Sequence, residues 1–533
     1  MSTATPTGDG GAVAVPWLPD EATLTRMANE FFAAFPGQPA PVVPAYEPAP
    51  VAPAYERAPV VPAYEPAPAA PGYQPAIVPA GLVTARPERP GQSFALPGLD
   101  LTAAPSFYFV DELASVPVQP ADASPPFVVD AIRRDFPVLS ERVNGRQLVW
   151  LDNAATTQKP RAVIDRLGYF YAHENSNVHR GAHALAVRAT DAYEGARATV
   201  ADFLGAPSSE TIIFTRGTTE AINLVAQAWG RRHVGAGDEI VISHLEHHAN
   251  IVPWQQLAEQ VGATLKVIPV GDDGQLLLGA YQDLLTDRTR LVAVSHVSNV
   301  LGTIVGVSEV IEAAHRAGAK VLIDGAQAVA HIPVDVSALD ADFYAFSGHK
   351  VFAPLGIGAL YGKPELLEAM PPWHGGGNMI QDVTLERTTY AQPPARFEAG
   401  TGSIADAVGL GAALDYVTRI GLASIGRYEH GLLEYATREI RCVPGLRLIG
   451  TAPEKASVLT FVLDGYRPEE VASALDKEGI AVRAGHHCAQ PILRRYGLES
   501  AVRPSLAMYN TTGEVDLLIA ALHRLAANAG RHR

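Results

Sequence analysis

Cysteine is scarce in this chain, which has only Cys442 and Cys488 among its 533 residues. Two cysteines cannot build a disulfide framework, so each is expected to be a small buried hydrophobe or a working thiol. Long apolar runs are missing too: no stretch of about 18 uncharged apolar residues occurs, and the N-terminus lacks the pattern of a signal peptide. A formal net charge of -15 disfavours nonspecific binding to nucleic acid or anionic membranes. These absences predict a cytoplasmic protein with neither nucleic acid nor membrane as partner.

Lysine is absent from residues 1–127, which hold 25 of the 42 prolines and twelve acidic residues against four arginines. A nine-residue repeat with the sequence Pro-Ala-Tyr-Glu starts at Pro44, Pro53 and Pro62, and a decayed copy starts at Pro71. Such proline density favours extended polyproline II. We therefore predict a disordered Pro/Ala-rich extension, whose regularly spaced tyrosines are either recognition points or low-complexity drift.

Two features interrupt this extension. Apolar residues between Asp20 and Phe35 fall at helical spacing and end at Pro36-Gly37, which predicts a short amphipathic helix. Aromatic islands occupy residues 93–98 and 106–110. Islands of this kind either dock on a partner as linear motifs or fold back on the rest of the chain.

From Val128 onward, short apolar runs alternate with helical patterns. The predicted strands are residues 212–214, 239–242, 265–268, 291–294 and 321–323, and helices are predicted at 221–229 and 307–317. This alternation predicts an α/β fold with a mostly parallel sheet covered on both faces, and a site at the strand ends. A helix at 405–420 and short strands at 457–462 and 480–482 predict a smaller α+β domain. The predicted domains are 128–396 and 397–533, with 128–150 packing on the smaller one.

A lysine and a carboxylate end two of the apolar runs. Lys350 closes Ser347-Gly348-His349-Lys350, and Asp324 opens Asp324-Gly325-Ala326-Gln327. Pyridoxal 5'-phosphate needs an amine for its Schiff base and an anion beside its pyridinium nitrogen, so this pair predicts an enzyme that binds that cofactor. Thr218 and Thr219 begin a predicted helix after a strand, where they are either a phosphate cradle or an ordinary helix cap.

Histidines cluster just after the strand at 239–242. His244 and His248 are four residues apart, but the cluster with His247 lies just past a strand, and Leu245 stands where a zinc-binding helix has its glutamate. An imidazole stacked on an aromatic cofactor is the preferred interpretation, and Gln327 could reach the ring hydroxyl. A buried acid that binds loop amides remains the alternative for Asp324.

Several motifs, in order, resemble those of group II (SufS-like) cysteine desulfurases of the class V aminotransferase family. They are Glu246–Trp254, His296–Gly302, Asp324–Gln327, Phe346–Lys350, Arg396–Thr401 and Arg483–Cys488, and the resemblance covers roughly residues 128–530. It implies a fold-type I transferase dependent on pyridoxal 5'-phosphate. It also implies conversion of L-cysteine to L-alanine, with sulfur carried by Cys488 as a persulfide to a SufE/SufU-like acceptor protein.

The resemblance assigns a role to each matching position. Lys350 would bind the cofactor covalently and move protons, and His247 would stack on its ring. The remaining cofactor contacts would be Asp324 and Gln327 at the ring, Thr218, Thr219, Ser347 and His349 at the phosphate, and Thr401 at the phosphate of a homodimer partner. Substrate contacts would be Arg503 at the carboxylate, with Asn299, Arg483, His179 and Arg180 nearby. Pro504 departs from the small residue common in the family.

Cys488 follows Gly485-His486-His487, a polar setting that favours the thiolate, whereas the apolar neighbours of Cys442 predict a buried structural residue. A metal held by His486, His487 and Cys488 is the rival interpretation. Three successive ligands rarely reach one ion, so no metal is expected.

Other functions stay open. Selenocysteine lyase or cysteine sulfinate desulfinase activity is an alternative on the same fold, and an interaction protein with vestigial catalysis is an alternative of another class. The extension resembles the targeting tails of desulfurases packaged in family 2 encapsulin shells. It therefore predicts that residues 1–127 load the enzyme into an encapsulin nanocompartment.

Overall fold

The computed structural model describes residues 127–528 apart from Arg180 and Ala182. The predictions made for residues 1–126, including the short helix, the tyrosine repeat and the aromatic islands, lie outside this range, as does the predicted substrate contact Arg180.

Seven strands form the main sheet. They are β1 (Ile212–Thr215), β2 (Glu239–Ser243), β3 (Thr264–Ile268), β4 (Thr289–Ser295), β5 (Lys320–Asp324), β6 (Phe343–Ser347) and β7 (Gly358–Gly362). Their order is β1-β7-β6-β5-β4-β2-β3. Within this sheet β7 runs in the direction opposite to the other six strands. The predicted mostly parallel sheet is confirmed. Strands β1 to β5 were predicted with their ranges and β6 only as the apolar run before Ser347, whereas β7, which begins and ends with glycine, was missed.

Residues of the central strands alternate between two cores. On β4, Val292 and Val294 belong to one buried apolar cluster, while Leu291 and Ala293 belong to another. Successive side chains of a strand point to opposite faces, so both faces of the sheet are covered. This explains why the strand reads as a continuous apolar run.

Helices cover the sheet and continue into the C-terminal part. They are Val129–Arg134, Arg161–His173, Ala184–Leu204, Thr218–Leu224, Arg231–His233, Val252–Val261, Leu278–Leu284, Val307–Arg316, Pro364–Ala369, Ile404–Ile420, Leu422–Ile440, Pro468–Lys477, Gln490–Arg495 and Thr512–Asn528. The segment predicted as one helix at 221–229 is α-helical over Thr218–Leu224 and π-helical over Val225–Gly230.

A second, antiparallel sheet follows in the chain. It consists of β8 (Leu446–Ile449), β9 (Thr460–Leu463), β10 (Arg483–Gly485) and β11 (Ala501–Arg503), in the order β8-β9-β11-β10. The predicted strand at 480–482 exists as Ile480–Ala481, but it pairs with Val149–Trp150. Two further short pairs are Arg142–Val143 with Arg146–Gln147 and Ile380–Val383 with Thr388–Tyr390.

The helix Ile404–Ile420 shares its buried residues with the core of the main sheet, through side chains such as Leu410 and Leu414. The domain limit between residues 396 and 397 stays a prediction. Of the helices described, none is by itself long and apolar enough to cross a membrane; Ile404–Ile420 and Leu422–Ile440 pass that test only as a pair, which is bent by 74°.

Candidate active site

A cavity of about 190 Å³ opens where the main sheet meets the loops around the second sheet. Parallel strands bring their carboxyl ends to one edge, so residues distant in sequence converge there. The predicted site residues that line it are Thr218, Thr219, His247, Asn299, Asp324, Ser347, His349, Lys350, Arg483, Cys488 and Arg503. The structure brings these residues together, and the role of each stays a prediction.

Lys350 ends a 3₁₀ turn, Gly348–Lys350, directly after β6. Burial lowers the pKa of its ammonium to about 8, although the carboxylate of Asp324 works in the opposite direction. Asp324 ends β5, and its Oδ1 accepts a 2.9 Å hydrogen bond from the amide of Ala326. Burial raises the pKa of Asp324, while the nearby Lys350 charge opposes that rise. The lysine is thus a stronger nucleophile near neutral pH than an exposed lysine would be.

A cluster of hydroxyls lies at the start of the helix Thr218–Leu224. Ser347 Oγ accepts a 2.9 Å hydrogen bond from the amide of Thr218 and lies 2.8 Å from Thr218 Oγ1. Gly217 has φ of +137°, and a Cβ there would lie 3.1 Å from Ser347 Oγ. Glycine keeps the backbone close to these hydroxyls, as a cradle for a phosphate requires.

His247 lies in the loop after β2. Its Nδ1 accepts a 3.0 Å hydrogen bond from the amide of Ala249. Burial, reinforced by the charge of Lys350, lowers the pKa of His247 to about 3. The ring is therefore neutral at physiological pH, which suits stacking on an aromatic cofactor.

Arg503, on β11, is 2% exposed. Its guanidinium donates to the carbonyl of Asn299 at 2.8 Å and to Asp152 Oδ1 at 3.3 Å. Burial lowers the pKa of Arg503 to about 10, which still leaves it charged at neutral pH. Asp152 was missed by sequence reasoning, because nothing near it in sequence signals an arginine that lies 351 residues away.

Cys488 lies in the loop between β10 and the helix Gln490–Arg495, with φ of +54°. Its amide donates to His486 Nδ1 at 3.0 Å, and its carbonyl accepts from the amide of His248 at 2.7 Å. The half-buried residue lines the same cavity as Lys350. The prediction that Cys442 is buried is wrong: it is exposed, because the turn after the helix Leu422–Ile440 directs it outward while its neighbour Val443 is buried.

Three predicted residues lie elsewhere in the described part of the chain. Gln327 is buried and donates from Nε2 to the carbonyl of Ala154 at 2.6 Å. His179 Nε2 lies 2.9 Å from Glu194 Oε1. Thr401 Oγ1 accepts a 3.3 Å hydrogen bond from Asn177 Nδ2. His179 and Thr401 therefore belong to a surface separate from the lining of this cavity.

Glu246 is a second residue whose role the sequence did not reveal. It precedes His247 in the chain and is fully buried, and it accepts hydrogen bonds from Asn250 Nδ2 at 2.6 Å and Ser295 Oγ at 2.7 Å. Burial raises its pKa to about 7. Serines at the ends of β2 and β4 could have indicated a buried acceptor such as Glu246, because a hydroxyl in an apolar strand needs a hydrogen-bond partner.

The lining of the cavity holds buried polar atoms that have no partner among the described residues. These atoms are Asn299 Oδ1, His349 Nδ1, His487 Nδ1 and Arg503 Nε. Buried polar atoms are rarely left unpaired, so they indicate a polar ligand. Together with the lysine, the buried acid and the hydroxyl cradle, they fit pyridoxal 5'-phosphate and an amino acid. Fold and site define a fold-type I enzyme dependent on this cofactor.

The family model for aminotransferase class V matches residues 149–518. A probable cysteine desulfurase from Mycolicibacterium paratuberculosis is 63% identical over 427 residues, which cover 80% of this chain and 62% of that protein. The cysteine desulfurase of Dickeya dadantii is 56% identical over 400 residues, covering 75% of this chain and 97% of that protein. The crystal structure of the cysteine desulfurase CsdA from Escherichia coli aligns with a TM-score of 0.70 and 41% identity, covering 75% of this chain and 99% of that one.

These similarities establish that the chain belongs to the class V aminotransferase family, among its cysteine desulfurases. The chain spans less than two thirds of the length of the first of these relatives.

Proposed function

We propose that this chain removes sulfur from L-cysteine, releases L-alanine and holds the sulfur on Cys488 as a persulfide. The observation that carries this proposal is that Cys488 lines one cavity together with Lys350 and Arg503. An amine, a carboxylate-binding guanidinium and a thiol are the three groups that the reaction needs. The names of the relatives support the same activity.

Arg503 binds the substrate carboxylate. Its Nε has no partner among the described residues, and the hydrogen bonds to Asn299 and Asp152 hold the guanidinium plane in place. A fixed guanidinium suits bidentate recognition of a carboxylate. This contact anchors the amino acid in the cavity that Cys488 also lines.

Pyridoxal 5'-phosphate, when bound, supplies the electron sink that weakens the carbon–sulfur bond. Lys350, Asp324, His247 and the hydroxyls of Thr218 and Ser347 would hold it. Lys350 takes the α-proton of the substrate and returns a proton to the product. The Cys488 thiolate attacks the substrate sulfur, so that a sulfur–sulfur bond forms as the carbon–sulfur bond breaks, and alanine leaves after protonation.

The two cysteines provide a matched test. Cys488→Ala is expected to lower alanine release from L-cysteine by at least about a hundredfold, because the nucleophile is lost. Cys442→Ala, which removes an exposed thiol, leaves the rate unchanged. Persulfide is read by mass spectrometry on the Cys488 peptide after a single turnover. Equal activity of the two variants contradicts the proposal.

Selenocysteine and cysteine sulfinate are alternative substrates on the same fold. Alanine release from the three amino acids by one enzyme preparation separates them. A preference for cysteine that Cys488→Ala abolishes supports the desulfurase. A holoenzyme that releases no alanine from any of the three supports the vestigial alternative.

We assign the chain to the group II (SufS-like) subtype with a SufE/SufU-like acceptor. Only residues 486–489 separate β10 from the helix Gln490–Arg495, so the cysteine loop is short. A short loop cannot carry a persulfide far from the cavity, and the acceptor thiol must approach it. Addition of the acceptor protein is expected to raise turnover several-fold, whereas no effect contradicts this assignment.

The chain works as a homodimer, with Thr401 and the His179 loop completing the partner's site. Support comes from the hydrogen bond between Asn177, in the His179 loop, and Thr401. Neither Thr401 nor His179 lines the cavity of its own chain. A mixed dimer that pairs Lys350→Ala with Thr401→Ala tests this. If Thr401 acts across the interface, the site of the Thr401→Ala subunit has its own Lys350 and receives Thr401 from the Lys350→Ala subunit. The other site lacks both residues. One site per mixed dimer is therefore expected to be active.

Residues 1–127 direct the enzyme into an encapsulin shell. The support is the composition of the extension, with its proline-rich repeats and aromatic islands. Deletion of residues 1–127 is expected to abolish co-purification with a co-expressed family 2 shell while alanine release continues. Deletion of the repeats at 44–74 alone, with the islands at 93–98 and 106–110 kept, locates the docking element. Loading that survives the full deletion contradicts the proposal.

A further inference from the structure

Two histidines and the sulfur-accepting cysteine converge from two separate loops. His248 follows β2, whereas His486 and Cys488 follow β10. One ligand atom from each of the three lies within 4.8 Å of the others. His487, the residue between them in sequence, is buried, and its Nε2 lies 3.0 Å from the carbonyl of Ala501. The third ligand is thus His248 from the other loop, and not His487, as the rival interpretation of the sequence had it.

From this cluster we propose that His248, His486 and Cys488 form a site for Zn²⁺. Reversible binding of the ion would block the Cys488 thiol as a nucleophile. Two imidazoles and a thiolate are the donors that Zn²⁺ prefers, and three protein ligands leave one position open for water. On binding, the Cys488 thiol loses its proton to solvent and the sulfur coordinates the ion.

The two loops already hold the ligands in a shared arrangement. The His248 and His486 rings lie 5.7 Å apart at 29°, and the amide of His248 donates to the carbonyl of Cys488 at 2.7 Å. Ligand atoms around a tetrahedral zinc ion lie about 3.5 Å apart. The distances between the ligand atoms of His248, His486 and Cys488 therefore have to shorten by about 1 Å. Small rotations of these half-buried or exposed side chains can achieve this.

Two existing hydrogen bonds oppose metal binding and make it reversible. His486 Nδ1 accepts the amide of Cys488 at 3.0 Å, and His248 Nε2 accepts the amide of Gln490 at 3.2 Å. A neutral imidazole has one lone pair, so coordination competes with these hydrogen bonds. This competition and the open position favour a regulatory ion over a structural one.

The consequence for activity rests on the proposed function, because a coordinated thiolate cannot attack the substrate sulfur. The metal site itself is tested without substrate. In the full-length holoenzyme, alkylation of each cysteine by iodoacetamide is followed by mass spectrometry with and without one equivalent of Zn²⁺. We expect Zn²⁺ to slow alkylation of Cys488 by at least about tenfold, as expected for a thiolate engaged by a metal. The exposed Cys442 in the same molecule keeps its rate, and EDTA restores that of Cys488.

Variants identify the ligands. His486→Gln changes an exposed residue and His248→Gln a half-buried one, and each is expected to lower Zn²⁺ affinity by at least about tenfold. His430→Gln, which changes another exposed histidine, is the matched control and retains protection. Protection that survives His486→Gln, or equal slowing of Cys442 and Cys488, overturns the proposal. Protection without inhibition of alanine release supports the metal site and contradicts the proposed function of Cys488.

Discussion

Asn299 donates from Nδ2 to the carbonyl of His487 over 2.7 Å, while its own carbonyl accepts from Arg503 at 2.8 Å. Asn299, in the loop after β4, therefore contacts both the cysteine loop and Arg503, the arginine proposed to bind the substrate carboxylate. Its Oδ1 remains without a partner among the described residues, facing the cavity.

Asn299→Ala is expected to lower kcat/KM for L-cysteine by about ten- to a hundredfold, because the cysteine loop loses its buried hydrogen bond from Nδ2, while the main-chain carbonyl that binds Arg503 stays in place. Asn144→Ala, whose side chain binds the carbonyl of Asp476 at the surface, is the control and keeps wild-type kinetics. Steady-state alanine release measures both. Unchanged kcat/KM in Asn299→Ala shows that the cysteine loop is held by other contacts.

The proposed attachment of pyridoxal 5'-phosphate to Lys350 in the cofactor-free protein requires the neutral amine. Its pKa of about 8 lies below the ordinary value of 10.5, so the attachment rate is expected to rise with pH and level off above about 8. Asp324→Asn removes the charge that raises this pKa, so the midpoint shifts to lower pH. Stopped-flow absorbance measures the rate across pH, and an identical midpoint in Asp324→Asn contradicts the assigned coupling.

Arg503→Lys is expected to raise KM for L-cysteine by about tenfold or more, because an ammonium cannot reproduce a bidentate guanidinium contact. The change in kcat is expected to be smaller, since the proposed role of Arg503 is to bind the substrate and not to react. Arg447→Lys on the exposed edge of β8 is the control. A fall in kcat at unchanged KM contradicts the binding role.

Glu246 makes stability depend on pH. Its pKa is raised from 4.5 to about 7 in the folded chain, so its contribution to the free energy of unfolding is complete below about pH 4.5 and is lost as pH rises toward 7. The slope is about 1.4 kcal/mol per pH unit in that window. Glu246→Gln keeps the shape but cannot titrate, so its Tm is expected to vary less between pH 5 and 7. Differential scanning fluorimetry compares the two proteins, and parallel pH profiles contradict this assignment.

Apolar strand runs and chemically distinctive residues were predictable from the sequence. Five strands of the main sheet were read from continuous apolar segments, since burial on both faces leaves no polar alternation, and Lys350 and Asp324 were read from the strand ends. The antiparallel strand β7 was not predicted, because its five residues begin and end with glycine. The exposure of Cys442 was misjudged, since the composition of its neighbours does not say which way a turn directs a side chain.

The sequence by itself determined which residues could do chemistry and which segments must be buried, because residue type and apolar pattern are local properties. Only the tertiary structure decided which of these residues meet. It placed Asp152 beside Arg503, Glu246 beside Ser295 and His248 beside Cys488, and it set Thr401 apart from the cavity of its own chain. The physical reason is that these contacts arise where strand ends and loops from two sheets converge, and no local pattern carries that information.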